Sequence, residues 1–135
     1  MKKIINPVEG NALHDPKRVG GWHHAAIRVG DFVFLSGFVG VYPGTKKLGE
    51  TTEKQVRLIY ENAELALKAH GATLKDIVRT TIFFLDRDAT WPILDKVRRE
   101  LFPHDPPVST GVGVTKIDLN AALEIEITAV VPTSQ

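Results

Sequence analysis

Leu123-Glu124-Ile125-Glu126-Ile127-Thr128-Ala129-Val130, near the end of the 135-residue chain, alternates apolar and polar side chains almost without a break. Successive residues of a β-strand point to opposite faces, so Glu124, Glu126 and Thr128 share one face and Ile125, Ile127 and Ala129 the other. The apolar face is suited to a core. The other face suits either solvent or a second subunit. Just upstream, Pro106-Pro107-Val108-Ser109-Thr110-Gly111-Val112-Gly113-Val114 reads as another strand, entered through prolines.

Working outward, Ile77 to Leu85 is β-branched and aromatic, the composition of a strand. Ala25–Val29 and Phe32–Ser36 are two apolar runs around Gly30-Asp31, which predicts a β-hairpin. Between hairpin and strand, Val56, Ile59, Ala63, Ala66, Leu67 and His70 recur at helical spacing. Thr52 is the expected N-cap of this helix, with Gln55 completing a capping box, and Gly71 is the expected C-terminal stop. A second helix is expected to start from Thr90 as cap, with Pro92 near its first turn, and to run to about Glu100, ending before Pro103. Residues 6–21, with Pro7, Gly10, Asn11, Pro16, Gly20 and Gly21, read as an ordered arm or loop, and residues 40–51 as a loop. The order β-β-α-β-α-β makes a single α+β domain over residues 1–135, a mixed sheet with two helices packed on one face.

Composition removes several functional classes. Net charge is +1 and no basic stripe is present, which argues against nucleic acid and anionic membranes as partners. The chain has no cysteine, which excludes disulfides, thiolate metal sites and a cysteine nucleophile. No run approaches the ~20 apolar residues of a membrane span. Met1-Lys2-Lys3-Ile4-Ile5-Asn6-Pro7 has charge but no signal-peptide core. A cytoplasmic protein is expected.

The two C-terminal runs resemble the signature of the RidA/YjgF/YER057c family, Pro-Ala-Arg-Ser followed by Val-Glu-Ile-Glu-Ala. Trp22-His23-His24-Ala25, Phe34-Leu35-Ser36-Gly37, Gln55, Glu61-Asn62, Ala69-His70-Gly71-Ala72 and Asp76-Ile77-Val78-Arg79-Thr80-Thr81 extend the likeness over nearly the whole chain. The resemblance implies a chorismate-mutase-like fold, a homotrimer whose sheets line a central barrel, and small-molecule pockets in the clefts between subunits. It also implies hydrolysis of reactive enamines and imines, with no cofactor and no metal. The family's arginine, which clamps a substrate carboxylate, is replaced here by Val108. Its water-orienting glutamate is matched by Glu124.

Hydrolysis of a C=N bond requires a positioned water, proton transfer and a held substrate. Glu124 is the candidate for the water. Trp22 stands where the family has a pocket tyrosine and offers a flat wall with one N–H donor. His23 and His24 are adjacent, so a strand would turn them opposite ways; His24 is taken as the candidate acid–base partner. Ser36, Gly37 and Phe38 would floor the pocket, with Gly37 allowing close backbone approach and Phe38 replacing a polar amide of the family. Ser109 is a polar group next to Val108, and Lys116 and Arg79 are the candidates for a replacement cation. His14, His70 and His104 read as surface, helix-end and loop residues. No Gly-x-Ser-x-Gly elbow surrounds either serine, and Gly111-Val112-Gly113 is not a nucleotide fingerprint.

Two functions remain. One is a RidA-like hydrolase with altered specificity, favouring an apolar substrate because a carboxylate against Val108 would be buried without a cation. The other is a non-catalytic trimer that binds a small ligand or a partner in the same clefts. A ribonuclease activity, suggested by the naming of some family members, is opposed by the near-zero charge.

Overall fold

The structure is a computed structural model that describes residues 2–8, 10, 13–14 and 21–133. Its strands are β1 (Lys3–Ile4), β2 (Ala26–Val29), β3 (Phe32–Leu35), β4 (Ile77–Phe84), β5 (Val108–Gly113) and β6 (Leu123–Val130), and its long helices are α1 (Thr52–Lys68) and α2 (Arg87–Leu101). They form one sheet in the order β1-β2-β3-β6-β4-β5. Only β4 and β5 run parallel, and α2 is the crossover that joins them. This is the mixed sheet and α+β class expected from the sequence, with β1 as an added edge strand. Asn11, Pro16 and Gly20 of the N-terminal arm lie outside the described residues.

β6 is central, paired antiparallel with β3 on one side and β4 on the other. Its alternation is realised: Leu123, Ile125, Ile127 and Ala129 are sealed at 0–1% exposure. They pack with Ile82 and Phe84 of β4, with Val56, Ile59, Ala63, Ala66 and Leu67 of α1, and with Leu94 and Val97 of α2. Both helices therefore cover the same face. Gly111 of β5 permits the close approach of α2, since a Cβ there would stand 2.9 Å from the Phe84 ring and 3.2 Å from the Trp91 ring.

The β2–β3 turn places Gly30 at φ +59° at its first central position, a conformation glycine adopts without a side-chain clash. Gly71 follows α1 at φ +84°, in agreement with its expected role. Two helix starts differ from the sequence reading. The cap of α1 is Thr51, not Thr52, and its hydroxyl accepts from the Lys54 N–H. Gln55 makes no capping box. It is buried, donates to the Gly49 carbonyl at 3.1 Å and accepts from the Ala122 N–H at 2.8 Å, tying α1 to the entry of β6. The cap of α2 is Asp86, which accepts from the Ala89 N–H, and Thr90 is a buried residue one turn inside. Pro92 thus sits within α2 and removes its bond to the Asp88 carbonyl. Both differences arise because each helix start holds more than one side chain of capping type, Thr51 and Thr52 in one case and Asp86 and Thr90 in the other.

His70, just past the end of α1, is a buried bridge, with Nδ1 2.8 Å from the Ala66 carbonyl and Nε2 accepting from the Asn6 N–H at 3.2 Å. It holds the segment that leads out of β1.

Replacing Gln55 by leucine strands the Gly49 carbonyl and the Ala122 N–H at once. The expected loss is about 2 kcal/mol, read as a lower urea midpoint at unchanged slope.

Candidate functional site

The face of the sheet away from the helices carries the other half of the alternation. Along β6 these are Glu124, Glu126 and Thr128. Register places Phe83 and Val112 level with Glu124, Thr81 and Thr110 level with Glu126, and Phe34 beside Thr128. Phe32 and Phe34 stack at 6.1 Å between centroids, and Phe32, Phe34, Val108 and Val112 are all exposed. A face carrying two large exposed aromatics, valines and a half-buried glutamate differs from ordinary solvated sheet.

Glu124 is the best-defined group on it. The chain passes Gly37 directly beneath its carboxylate: a Cβ on Gly37 would stand 2.5 Å from Glu124 Oε2 and 2.8 Å from Cδ. Backbone bonds between Phe38 and Ile125, at 2.9 and 3.0 Å, lock this crossing in register. Burial first, and then the negative charges of Asp118 and Glu126, push the Glu124 carboxyl above the ordinary glutamate range. A carboxyl shifted in this direction is better suited to exchanging protons near neutral pH.

The remaining candidates divide. Ser36 donates to the His24 carbonyl at 2.7 Å, joining the end of β3 to the 22–25 segment. The Phe38 side chain is 3% exposed and belongs to the main core, so it is not a wall of the open face; its β-bridge to Ile125 turns it toward the helices. Trp22 is 88% exposed and His24 is exposed. His23, not His24, is seated: its Nε2 lies 2.8 Å from Nδ1 of His14, whose ring meets Phe38 at a tilt with centroids 4.8 Å apart. His14, read from the sequence as a surface residue, is the missed neighbour. It lies far from the hairpin in sequence, and no local pattern marked it.

Val108 and Ser109 point to opposite faces. Val108 lies on the open face in register with Arg79, four positions along β5 from Val112. At ~3.3 Å per residue and ~4.8 Å per strand, Val108 is roughly 16 Å from Glu124 in the same chain. Arg79, its exposed neighbour, is similarly distant along β4 and supplies no cation to Glu124 in that chain. Ser109 is on the helix side, where it accepts from Arg98 Nη1 at 3.3 Å, so it is not a partner of Val108 in one pocket. The signature can also be laid with Pro107 as its proline, placing the arginine position at Ser109. On either register β5 carries no arginine.

The sequence model of the family described as Endoribonuclease L-PSP matches residues 12–131. The chain belongs to this family. A RutC family protein of Aquifex aeolicus is 35% identical over 112 residues, 82% of this chain and 89% of the relative. The chloroplastic Reactive Intermediate Deaminase A of Arabidopsis thaliana is 34% identical over 110 residues, 81% of this chain and 58% of that longer protein. The crystal structure of a Mycobacterium tuberculosis member of the YjgF/YER057c/UK114 family superposes with a TM-score of 0.79 at 27% identity, covering 96% of this chain and all of that one. The family likeness read from the C-terminal strands is thereby established, as is the fold. Among the described residues, no helix is long and apolar enough to cross a membrane.

Glu124 has a folded-state pKa above its unfolded value, so its charge opposes folding. The native state binds the extra proton, and stability from this group falls as pH rises through the interval between the two values. Glu124→Gln is therefore expected to raise the melting temperature at pH 7. The gain should vanish below about pH 4, where the wild-type carboxyl is also neutral; thermal melts of both proteins across pH check it.

Proposed function

We propose that the protein is a RidA-like hydrolase of reactive enamines, imines or related small metabolites, with a specificity altered from that of its relatives. The observation that carries this is the half-buried Glu124 carboxyl, held over Gly37 with its pKa raised. Family membership supports it, since the Arabidopsis relative is named a reactive intermediate deaminase and a Dermatophagoides farinae relative, 28% identical, is named a 2-iminobutanoate/2-iminopropanoate deaminase.

The reaction adds water across a C=N bond. Glu124 takes a proton as the water oxygen bonds to the imine carbon, and that proton is returned to nitrogen. The resulting carbinolamine collapses to a carbonyl and ammonia. His24, exposed near the end of β3, is the proposed second proton carrier, and Trp22 a wall. Trp22 stands 88% exposed in one chain, and a second copy in a homotrimer would cover it and complete the site. The exposed Phe32–Phe34 stack and the valines of β5 support this, because such a face is better covered than wetted. Val108 in place of the family's arginine removes the family's own carboxylate clamp, which favours uncharged, apolar imines. A cytoplasmic location is proposed for this cysteine-free chain.

Glu124→Gln should lower kcat/KM for a hydrolysable imine by about 100-fold or more while the mass by light scattering stays that of three 14.9 kDa chains. Uncharged imines should outpace imino acids generated in situ by an amino-acid oxidase. If no imine in such a panel is turned over above a heat-killed control, the non-catalytic ligand-binding alternative replaces this one. Phe34→Glu should lower the assembly mass, because it places a charge in the covered face; an unchanged trimer would contradict that part of the proposal.

A further inference from the structure

Glu124 shares its side of the sheet with a small hydrophobic cluster. Phe38 pairs antiparallel with Ile125, so its neighbours Gly37 and Val39 turn to the face that carries Glu124. Gly37 meets the carboxylate there. Val39 is buried and clusters with Leu13, Val41 and Ala121, and Ile117 lies against that cluster. The chain between Ile117 and Ala121 is thus fastened at both ends on the side of the sheet that Glu124 occupies.

That chain is one short turn, Asp118–Asn120. The Asn120 N–H donates to the Ile117 carbonyl at 3.0 Å, and the Ala121 N–H to the Asp118 carbonyl at 3.1 Å. Just beyond, the Ala122 N–H is held by Gln55 at 2.8 Å. Two successive residues of the turn, Leu119 at φ +60° and Asn120 at φ +54°, take the left-handed conformation that a side chain disfavours. Leu119 stays 45% exposed, so burial of its own side chain does not offset the strain. What the conformation fixes is the course of the chain on either side, with Ala121 sealed in the cluster and Asp118 at the exposed rim. The Asp118 carboxylate makes no hydrogen bond or ion pair among the described residues, so its charge is not neutralised there.

The other elements around Glu124 offer no charge. Phe83 of β4 and Val112 of β5 stand level with it, and Thr81 and Thr110 form the next row. Gly37 and Val39 flank it from the 37–39 segment, and along β6 the next residue on its face is Glu126. The charges that act on Glu124 are two acids, Asp118 ahead of Glu126. We propose that Asp118 is a positioning residue for the reaction assigned to Glu124: its charge, held in place by the strained turn, strengthens Glu124 as the base that takes a proton from water. The role rests on that assignment. A negative neighbour makes a carboxylate hold its proton more tightly, and a carboxylate that holds a proton more tightly is the stronger base.

A ¹³C titration of the Glu124 carboxyl in the intact protein tests this without any substrate. Asp118→Asn removes the charge and keeps the backbone bonds of the turn. In this variant the Glu124 midpoint should move to lower pH. Glu64→Gln, which removes an exposed charge from α1 on the far side of the sheet, should leave the midpoint where it is. With the fastest imine of the panel above, the acid limb of kcat/KM should follow the midpoint downward in Asp118→Asn. The plateau above that limb should fall several-fold, because a weaker base takes the proton less readily. A midpoint unmoved by Asp118→Asn, a midpoint moved as far by Glu64→Gln, or a plateau that falls while the limb stays in place would each overturn the proposal. A panel without turnover overturns the hydrolase reading instead, and the two midpoints still decide whether Asp118 governs the Glu124 proton.

Discussion

β6 is clamped on both edges, by β3 and β4, and every second side chain along it is sealed against two helices. That single constraint sets the rest. The sealed set fixes register, because a slip of one residue would drive Glu124 and Glu126 into the core and expose Ile125 and Ile127. Register in turn fixes which groups stand level on the open face, and it brings the 36–38 segment across β6 so that Gly37 lies under the Glu124 carboxylate. A side chain at Gly37 would have to displace that carboxylate. The glycine and the glutamate are therefore one structural decision made at two places in the sequence.

The fold was legible in the sequence because its signals are local and repeated. Period-two alternation gave β6, the Gly30-Asp31 pair gave the hairpin, and the stripe from Val56 to His70 gave α1. Helix starts were less legible, since Thr51-Thr52 and Asp86 to Thr90 each offer more than one capping side chain. Tertiary pairing decided between them: Gln55 is needed at the β6 entry, and Thr90 is needed in the core.

The site was legible only in part, and for a physical reason. Strand period places residues on faces, so Glu124 could be read directly. It does not say how far apart two strand residues lie, and Val108 is four positions out of level with Glu124. Nor does adjacency in sequence give adjacency in space: Ser109 and Val108 belong to opposite faces, and His23 found its partner in His14. Arg98, on the helix that crosses behind β5, carried no motif at all. Its place beside Asp95, Ser109 and Trp91 follows from how closely α2 lies on Gly111.

The half-buried carboxyl is the feature on which the functional account rests, and it is costly to the fold. Burial without a cation disfavours its charge, and two further carboxylates add to that cost. Structures keep such a group where it does something. The most direct measurement is a titration of the Glu124 carboxyl carbon by ¹³C NMR on the intact protein. The account predicts a midpoint above the ordinary glutamate value of about 4.3, falling when Glu126 is replaced by glutamine. A midpoint at or below that ordinary value would contradict it.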